Sequence, residues 1–521
     1  MTWWAPEYTV LPEGIEDCPI PSVAILGDWS VNAWATFPTL DAFDLVLTDR
    51  LGVETLTQAG LRHVDHWRCF TFEPTLHRVL PGLNRDIDIL FVSNLNLFLY
   101  PDRAQWLHRI AALSPRYRVV ITGGIYDEDY VRLLNRARIV FNRSMRGEMN
   151  MRTYEAAAAG AVLFIERENL EIRNVFEDRI HCVLYGDDDL ERLLEYYLTH
   201  DAERGTLARA GHQRIQHETA RHHLRRLIDR LQDLPHWGRH HRPFASLPSA
   251  ERARRLGLKA MLSTDPHAWR AAVKFLTRAN APALAGSVFG SLASIFATMA
   301  QNAPDPTFRA DLSARARQYA QRAIEINPAN VIHQLRAGEL AAADSNFPGA
   351  IEHLRTAASL ASSQDLTASA PDSLPFPFPF DRFRFLWECA AAQDPETFRI
   401  TARRLMLARA LHGLGHLLWS SGRVSEAIEA LSTSVRTWPH LCGNSSTLAQ
   451  LLASQKGQEE KAIELYRSLL VTHPFDFDTR RFLADLLCKL GRQDEFTVLS
   501  TDTFRLQAVM NGHTNDVAPG A

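Results

Sequence analysis

The densest set of chemically useful side chains lies between Ala137 and Ile165. An apolar run ends at Asn142, and Arg143, Arg146, Gly147, Glu148, Asn150 and Arg152 follow. Tyr154, Glu155, four alanines and Gly160 come next, before a second apolar run. This order predicts a strand ending at Asn142, a glycine-containing loop, a helix through Glu155 to Ala159, and a stop at Gly160. The helix N-terminus and the guanidinium groups of Arg143, Arg146 and Arg152 would face one strand end. Helix amides and arginine forks both favour anions, so the chemistry suggested is phosphate binding. Glu155, one turn inside the helix, can accept two hydrogen bonds from vicinal hydroxyls such as those of a ribose. The competing reading is a helix start with incidental charges.

These residues need a scaffold. From about residue 20 to 235, β-branched runs alternate with amphipathic stretches. Strands are predicted at Ser22–Leu26, Asp44–Thr48, Ile87–Val92, Arg118–Ile121, Ile139–Phe141, Ala161–Ile165 and His181–Leu184, with a further one near His66–Phe70. Strands alternating with helices imply βαβ units and a parallel sheet, whose ligands sit beyond the C-terminal strand ends. Ser93, Asn94, Gly123, Gly124 and Asn142 fall at such ends. Asp28, after the first predicted strand, could face the cleft as a base, or serve as an ordinary turn residue.

The pattern Asn150-x-Arg152-x-Tyr154-Glu155-x4-Gly160, followed by an apolar strand, resembles the donor-binding segment of group 1 glycosyltransferases, nearest to their CgeB-like (spore maturation) branch. The likeness continues through Tyr185-Gly186-Asp187-Asp188-Asp189-Leu190, the stretch Glu191–Leu198 and Ala208–Gly211, and covers roughly residues 85–232. The resemblance implies a GT-B fold of two Rossmann-like lobes, a nucleotide-diphosphate sugar as donor, and no metal or other cofactor. It puts Glu155 on the nucleotide ribose. Asn142, Arg143, Arg146, Asn150, Arg152, Ser93, Asn94, Gly123 and Gly124 would surround the donor, with Asp28 and Glu148 as catalytic candidates. Related enzymes often separate two glutamates by seven residues; here six separate Glu148 from Glu155.

Composition bounds the rest. The chain has 521 residues, 46% apolar and 22% charged, with a net charge of −3, so nothing overall points to nucleic acid or an anionic membrane. Six scattered cysteines without a C-x-x-C pair argue against a disulfide framework. No signal-like start is present, and the apolar stretch Ala281–Met299 is interrupted by Pro282, Gly286 and Gly290. A soluble, cytoplasmic protein is expected.

After Asp233 the strand signals vanish. Ala316, Ala320 and Ala323 reappear 34 residues later as Ala350, Leu354 and Ala357, and the template returns around Leu414–Pro439, Ala462–Pro474 and Ala484–Gly491. A 34-residue period with small residues at helix contacts resembles the tetratricopeptide repeat. Pro371–Phe380 breaks the register. The expected domains are a short Rossmann-like lobe (1–82), a nucleotide-sugar lobe (83–235), a linker (236–250), an all-α repeat solenoid (251–505) and a flexible tail (506–521).

Other signals are weaker. His217-Glu218-x3-His222 misses the zinc-protease pattern, because a five-residue step turns the two histidines roughly 140° apart; a solvated helix face is expected. Asp187–Asp189 reads as acidic capping. The combined expectation is transfer of a sugar to a protein or glycan acceptor recruited by the repeats. The alternatives are a non-catalytic scaffold with a degenerate transferase domain and another Rossmann-like enzyme such as an epimerase.

Overall fold

The computed structural model describes residues 2–4, 9–30, 33–95, 97, 101–233, 242–261, 263, 265–363, 395–439 and 443–512. The Pro371–Phe380 segment and residues 236–241 of the expected linker lie outside them. The chain divides into two compact units. One comprises Met1–Thr48, Gly52–His66 and Gly238–Leu465; the other comprises Asp49–Leu51, Trp67–Trp237 and Tyr466–Ala521.

The first unit carries β1 (Thr2–Trp4), β2 (Val23–Leu26), β3 (Leu45–Thr48) and β4 (Val64–His66), all parallel and in that order across the sheet. β2 and β3 lie where the apolar runs predict them. The fourth strand starts before His66–Phe70, and β1 has no counterpart in the sequence reading: three residues are too few to show a period. Helices α1 (Ala33–Leu40) and α2 (Arg50–Gln58) follow β2 and β3.

The helices Ser249–Met261, Pro266–Arg278 and Ala285–Asn302 share a core with this lobe, where Ala35 packs among Leu258, Trp269, Leu276 and Leu292. The buried Arg242 donates to Asp44 (2.7 Å) and to the carbonyls of Ile15 (2.8 Å) and Glu16 (3.1 Å). The expected linker is therefore docked structure from Arg242 onward. Pro282–Asn302 is long and apolar enough to cross a membrane, yet Val288, Leu292, Ile295 and Phe296 are buried in this core.

Further helices follow at Pro306–Ile326, Val331–Ala343, Phe347–Ser363, Pro395–Ser420, Val424–Thr437, Asn444–Ala453 and Glu459–Thr472. Asp-Pro pairs start helices of the unit, as where Asp265 accepts from His267 N–H and Asp305 from Phe308 N–H. Two helix contacts share one geometry. A Cβ on Gly338 would sit 2.8 Å from Leu354 Cγ and 3.3 Å from Ala350 O; one on Gly415 would sit 2.6 Å from Leu431 Cγ and 3.3 Å from Ala427 O. Only glycine permits that approach, which is why the small residues recur in sequence.

The second unit holds β5 (Ile87–Val92), β6 (Val119–Thr122), β7 (Ala137–Phe141), β8 (Val162–Glu166) and β9 (Val183–Tyr185). The strands are parallel in the order β6-β5-β7-β8-β9. Helices α3 (Pro101–Ala111), α4 (Asp127–Arg136), α5 (Met151–Ala158), α6 (Leu190–Thr199), α7 (Asp201–Ile215) and α8 (Ala220–Asp233) complete the crossovers and the end of the lobe. Apolar clusters cover both sheet faces, as the unbroken β-branched strands require.

One cluster is finished from far along the chain. Phe475, Leu506 and Val509 join Ile89, Phe91, Leu107 and Val119, so the helices Phe477–Lys489 and Gln493–Asn511 belong to this lobe. The expected flexible tail is helical through Asn511, because Leu506 and Val509 have an apolar face to bury; residues 513–521 lie outside the described residues. The architecture is a parallel-sheet α/β domain followed by a largely helical C-terminal region.

Candidate functional site

The strand order of the second unit reverses direction around β5: the first crossover leads to β6 on one side, the next returns to β7 on the other. A crevice opens at such a switch point, beyond the carboxyl ends of the two inner strands. Ser93 and Asn94 follow β5, and Asn142 follows β7. At the neighbouring end of β6, a Cβ on Gly123 would meet Ser93 O at 2.3 Å. Glycine is thus required where the two strand ends converge, and Gly124 comes next.

Arg152 ties the crevice together. Its Nη1 donates to Val92 O (2.7 Å), its Nη2 to Asn142 Oδ1 (2.6 Å), and its guanidinium lies 4.6 Å from the Phe91 ring centroid. The side chain is buried, and burial beside Arg103 lowers its pKa to about 10. Arg103, absent from the sequence reading, is also buried; its guanidinium lies 5.7 Å from the Phe91 centroid, and its Nη2 donates to Arg143 O (3.4 Å). A lone arginine near a helix start carries no motif, so nothing local pointed to it. Asn150 caps α5 by accepting from Thr153 N–H and exchanges amide hydrogen bonds with Asn142 (3.0 and 3.2 Å).

The loop between β7 and α5 is wrapped in carboxylates. Glu148 accepts from Arg146 N–H (2.7 Å) and Met145 N–H (3.3 Å), Glu166 from Ser144 N–H (3.1 Å), and Glu171 from Met149 N–H (3.3 Å). These loop amides are therefore engaged within the protein, and of the helix amides expected to face a phosphate that of Thr153 is taken by Asn150. Arg146 is fully enclosed, 3.6 Å from Asp49 and 4.0 Å from Glu148. Burial raises the pKa of Glu148, with Asp49 adding to the rise and Arg146 opposing it. Arg143 is more open; it lies 4.9 Å from the Trp106 ring centroid and 3.8 Å from Glu168.

Glu155 sits one turn into α5, as the sequence indicated, and is 4% exposed. Tyr130, on α4, donates its hydroxyl to Oε2 (2.5 Å), while His77 Nε2 lies 3.3 Å from Oε1. Burial raises the Glu155 pKa against the lowering pull of Tyr130, His77 and Arg152. Asp28 belongs to the first unit, half-buried beyond the end of β2. Ser93, Asn94, Gly123, Gly124, Asn142, Asn150, Arg152 and Glu155 thus converge in one lobe, with Arg143, Arg146 and Glu148 on its adjoining loop.

Elsewhere in the lobe, Glu218 departs from the expected solvated face. It is buried and accepts from His223 Nε2 (2.8 Å), Arg226 Nη2 (2.8 Å) and Arg68 Nη2 (3.0 Å). Burial works against ionisation here, but these donors bring its pKa down to about 2. The reason is position: Glu218 lies in the turn between α7 and α8 rather than on a helix face, and α8 carries His223 inward, edge-on to Tyr154. Among the described residues no three His, Cys, Asp or Glu side chains gather as a metal set.

Residues 102–232 match the glycosyl transferase-like family. The matched segment runs from α3 to α8 and includes Arg103, Tyr130, Asn142, Arg152 and Glu155. Solved structures similar to part of the chain include Anabaena HepE in complex with UDP-glucose, with UDP and glucose, and with UDP. Each covers 41% of this chain and 72% of the HepE chain at 14% identity, with TM-scores of 0.33, 0.33 and 0.32. No curated protein matches the chain in sequence. The second unit therefore contains a glycosyl transferase-like domain.

Proposed function

We propose that the chain is a GT-B glycosyltransferase that moves a sugar from a nucleotide diphosphate to a protein or glycan acceptor. The observation that carries this reading is the Arg152–Asn142–Glu155 arrangement at the switch-point crevice, within the segment that matches the glycosyl transferase-like family. Glu155 is the ribose ligand. The diphosphate lies toward Ser93, Asn94 and the glycines after β6. Arg152, its Nη atoms committed to Val92 and Asn142, acts mainly through its charge and by holding β5 to β7. Arg143, Arg146, Asn150 and Glu148 shape the loop beside the sugar, and Asp28 is the candidate base from the first lobe. No metal or other cofactor enters this reading. The four described cysteines are free thiols, which agrees with a cytoplasmic setting.

The helical region supplies acceptor contacts in this proposal. The matching Gly338–Leu354 and Gly415–Leu431 contacts support a tetratricopeptide-like stack, and such stacks offer extended concave surfaces.

A second reading, a scaffold with a degenerate transferase domain, is favoured by one observation: Glu148, Glu166 and Glu171 already occupy the amides of the loop. One experiment separates the two. Full-length protein and Glu155→Ala are titrated with UDP, GDP, TDP and CDP and their sugars, with sugar hydrolysis followed in parallel. Loss of a charge-assisted hydrogen bond costs about 1.5–3 kcal/mol, so affinity should fall about tenfold or more. Unchanged affinity in a folded variant removes Glu155 from the site. Binding without hydrolysis or transfer leaves the scaffold.

A further inference from the structure

The partners of Glu155 come from elements far apart in sequence, and each uses one carboxylate oxygen. Tyr130 Oη donates to Oε2 at 2.5 Å, and His77 Nε2 stands 3.3 Å from Oε1. The two rings pack edge to face across the carboxylate, with centroids 6.3 Å apart. His77 is itself fixed. Its N–H donates to Glu73 O (2.7 Å), and Glu73 N–H donates to His77 Nδ1 (3.3 Å). A neutral imidazole that accepts at Nδ1 carries its proton on Nε2, so it donates to Glu155. A carboxylate offers about four acceptor positions. Two are used here, one on each oxygen, which leaves one on each oxygen for a vicinal diol.

Resting on the reading of Glu155 as ribose ligand, we infer that Tyr130 and His77 are positioning residues that keep the Glu155 carboxylate ionised and turned to receive both ribose hydroxyls. A neutral carboxyl would spend one oxygen as a donor and lose the paired acceptor geometry. Burial works toward that neutral form, since it raises the Glu155 pKa; Tyr130, His77 and Arg152 are the groups that oppose it. Tyr130 does not compete for the negative charge, because burial and the Glu155 charge push its own ionisation well up. The hydroxyl stays a donor at every working pH.

The test is calorimetric titration of the full-length protein with UDP, GDP, TDP and CDP at several pH values between about 6 and 9. Wild type, Tyr130→Phe, His77→Gln, Glu155→Gln and the Tyr130→Phe/Glu155→Gln double variant are compared. Tyr130→Phe removes only the donor, so the carboxyl titrates higher, and one pKa unit is tenfold in the ionised fraction. Affinity should fall most at the acid end, by at most about tenfold for each unit of the rise, and return to the wild-type value at the alkaline end. Glu155→Gln should bind weakly at all pH values, and adding Tyr130→Phe to it should change nothing. His77→Gln should move the affinity midpoint the same way as Tyr130→Phe, and by less. A loss in Tyr130→Phe that is equal at every pH, or no loss at all, overturns the positioning role. If none of the four nucleotides binds wild type, or Glu155→Gln binds as wild type does, the assignment of the site falls first, and this inference with it.

Discussion

The glycosyl transferase-like lobe and the helical region bury charge in opposite senses. The lobe encloses carboxyl groups whose pKa is raised by burial: Glu148, Glu155 and Glu166. The helical region encloses imidazoles whose pKa is lowered by burial, His333 and His412, the latter to about 4. The difference follows from what each region needs. A site built to accept hydrogen bonds keeps carboxylates inside and surrounds them with N–H and O–H donors. In the helical region desolvation would raise the pKa of the half-buried Glu339, but its pairing with Arg409 and Arg336 lowers it instead. His412 Nε2 lies 3.3 Å from Thr447 Oγ1, and His333 lies against Gly290, where a Cβ would approach its ring at 3.1 Å. His108, where Phe475 packs edge-on against the lobe, follows the helical pattern and is also lowered by burial.

Acid should therefore act on the two sets of groups with opposite sign. A histidine that titrates lower in the fold than in the unfolded chain stabilises the fold above about pH 6.5, and this is lost as pH falls toward the folded value. A glutamate that titrates higher in the fold stabilises it below its unfolded value, and this is lost as pH rises through the folded one. Between pH 7 and 5 the segments around Glu148, Glu155 and Glu166 should tighten, while those around His333, His412 and, in the lobe itself, His108 and His181 loosen. Glu218, held down to about 2, does not enter this window. Hydrogen exchange followed segment by segment across that range checks the comparison, and parallel changes in both sets would break it.

Three substitutions sharpen it. The largest effect is expected from Leu506→Ala. Its side chain is fully buried in the lobe's core, and such truncations cost about 2–5 kcal/mol. The loss should appear in protection of β5 and β6, although the mutation lies more than 380 residues later in the chain than Val119. Next, His412→Gln should spare the helical region about 2 kcal/mol of acid destabilisation at pH 5 and change little at pH 8, as a shift from 6.5 to about 4 requires; denaturant midpoints at both pH values measure it. Smallest is Gly415→Ala, whose Cβ would come within 2.6 Å of Leu431 Cγ. Overpacking of this kind costs about 1–3 kcal/mol, and the loss should be the same at both pH values.

Much of the lobe was legible because its strands are short apolar runs with polar ends. Ile87–Val92 lies where the sequence reading puts it, and the lobe's other predicted strands differ from the structure by one or two residues at their ends, whereas the strand expected near His66–Phe70 lies at Val64–His66. The helix bearing Arg152 and Glu155 was equally plain, since alanines and a closing glycine frame it. The surroundings of those residues were not. That Arg152 points back to Val92 depends on a contact 60 residues apart, and that Tyr130 and His77 reach Glu155 depends on separations of 25 and 78. Neither pairing leaves a local pattern. The helical character of the later chain was visible too, and small residues do stand where one helix presses on the next, as at Gly338 and Gly415. What periodicity could not show is which helices pack on the α/β lobes. Ser249–Met261 packs on the first lobe, and Gln493–Asn511 on the second.

That last helix sets an order of assembly. Residues 67–233 leave the ribosome with all five strands of the second sheet, yet Leu506 and Val509 arrive about 270 residues later. At a synthesis rate of roughly 5–20 residues per second, the interval is about 14–55 s. Through that time the face carrying Ile89, Leu107 and Val119 waits without its final cover. The nascent chain must be kept from associating through that apolar patch, and a ribosome stalled within the helical region would release a domain that has all its strands but not its complete core.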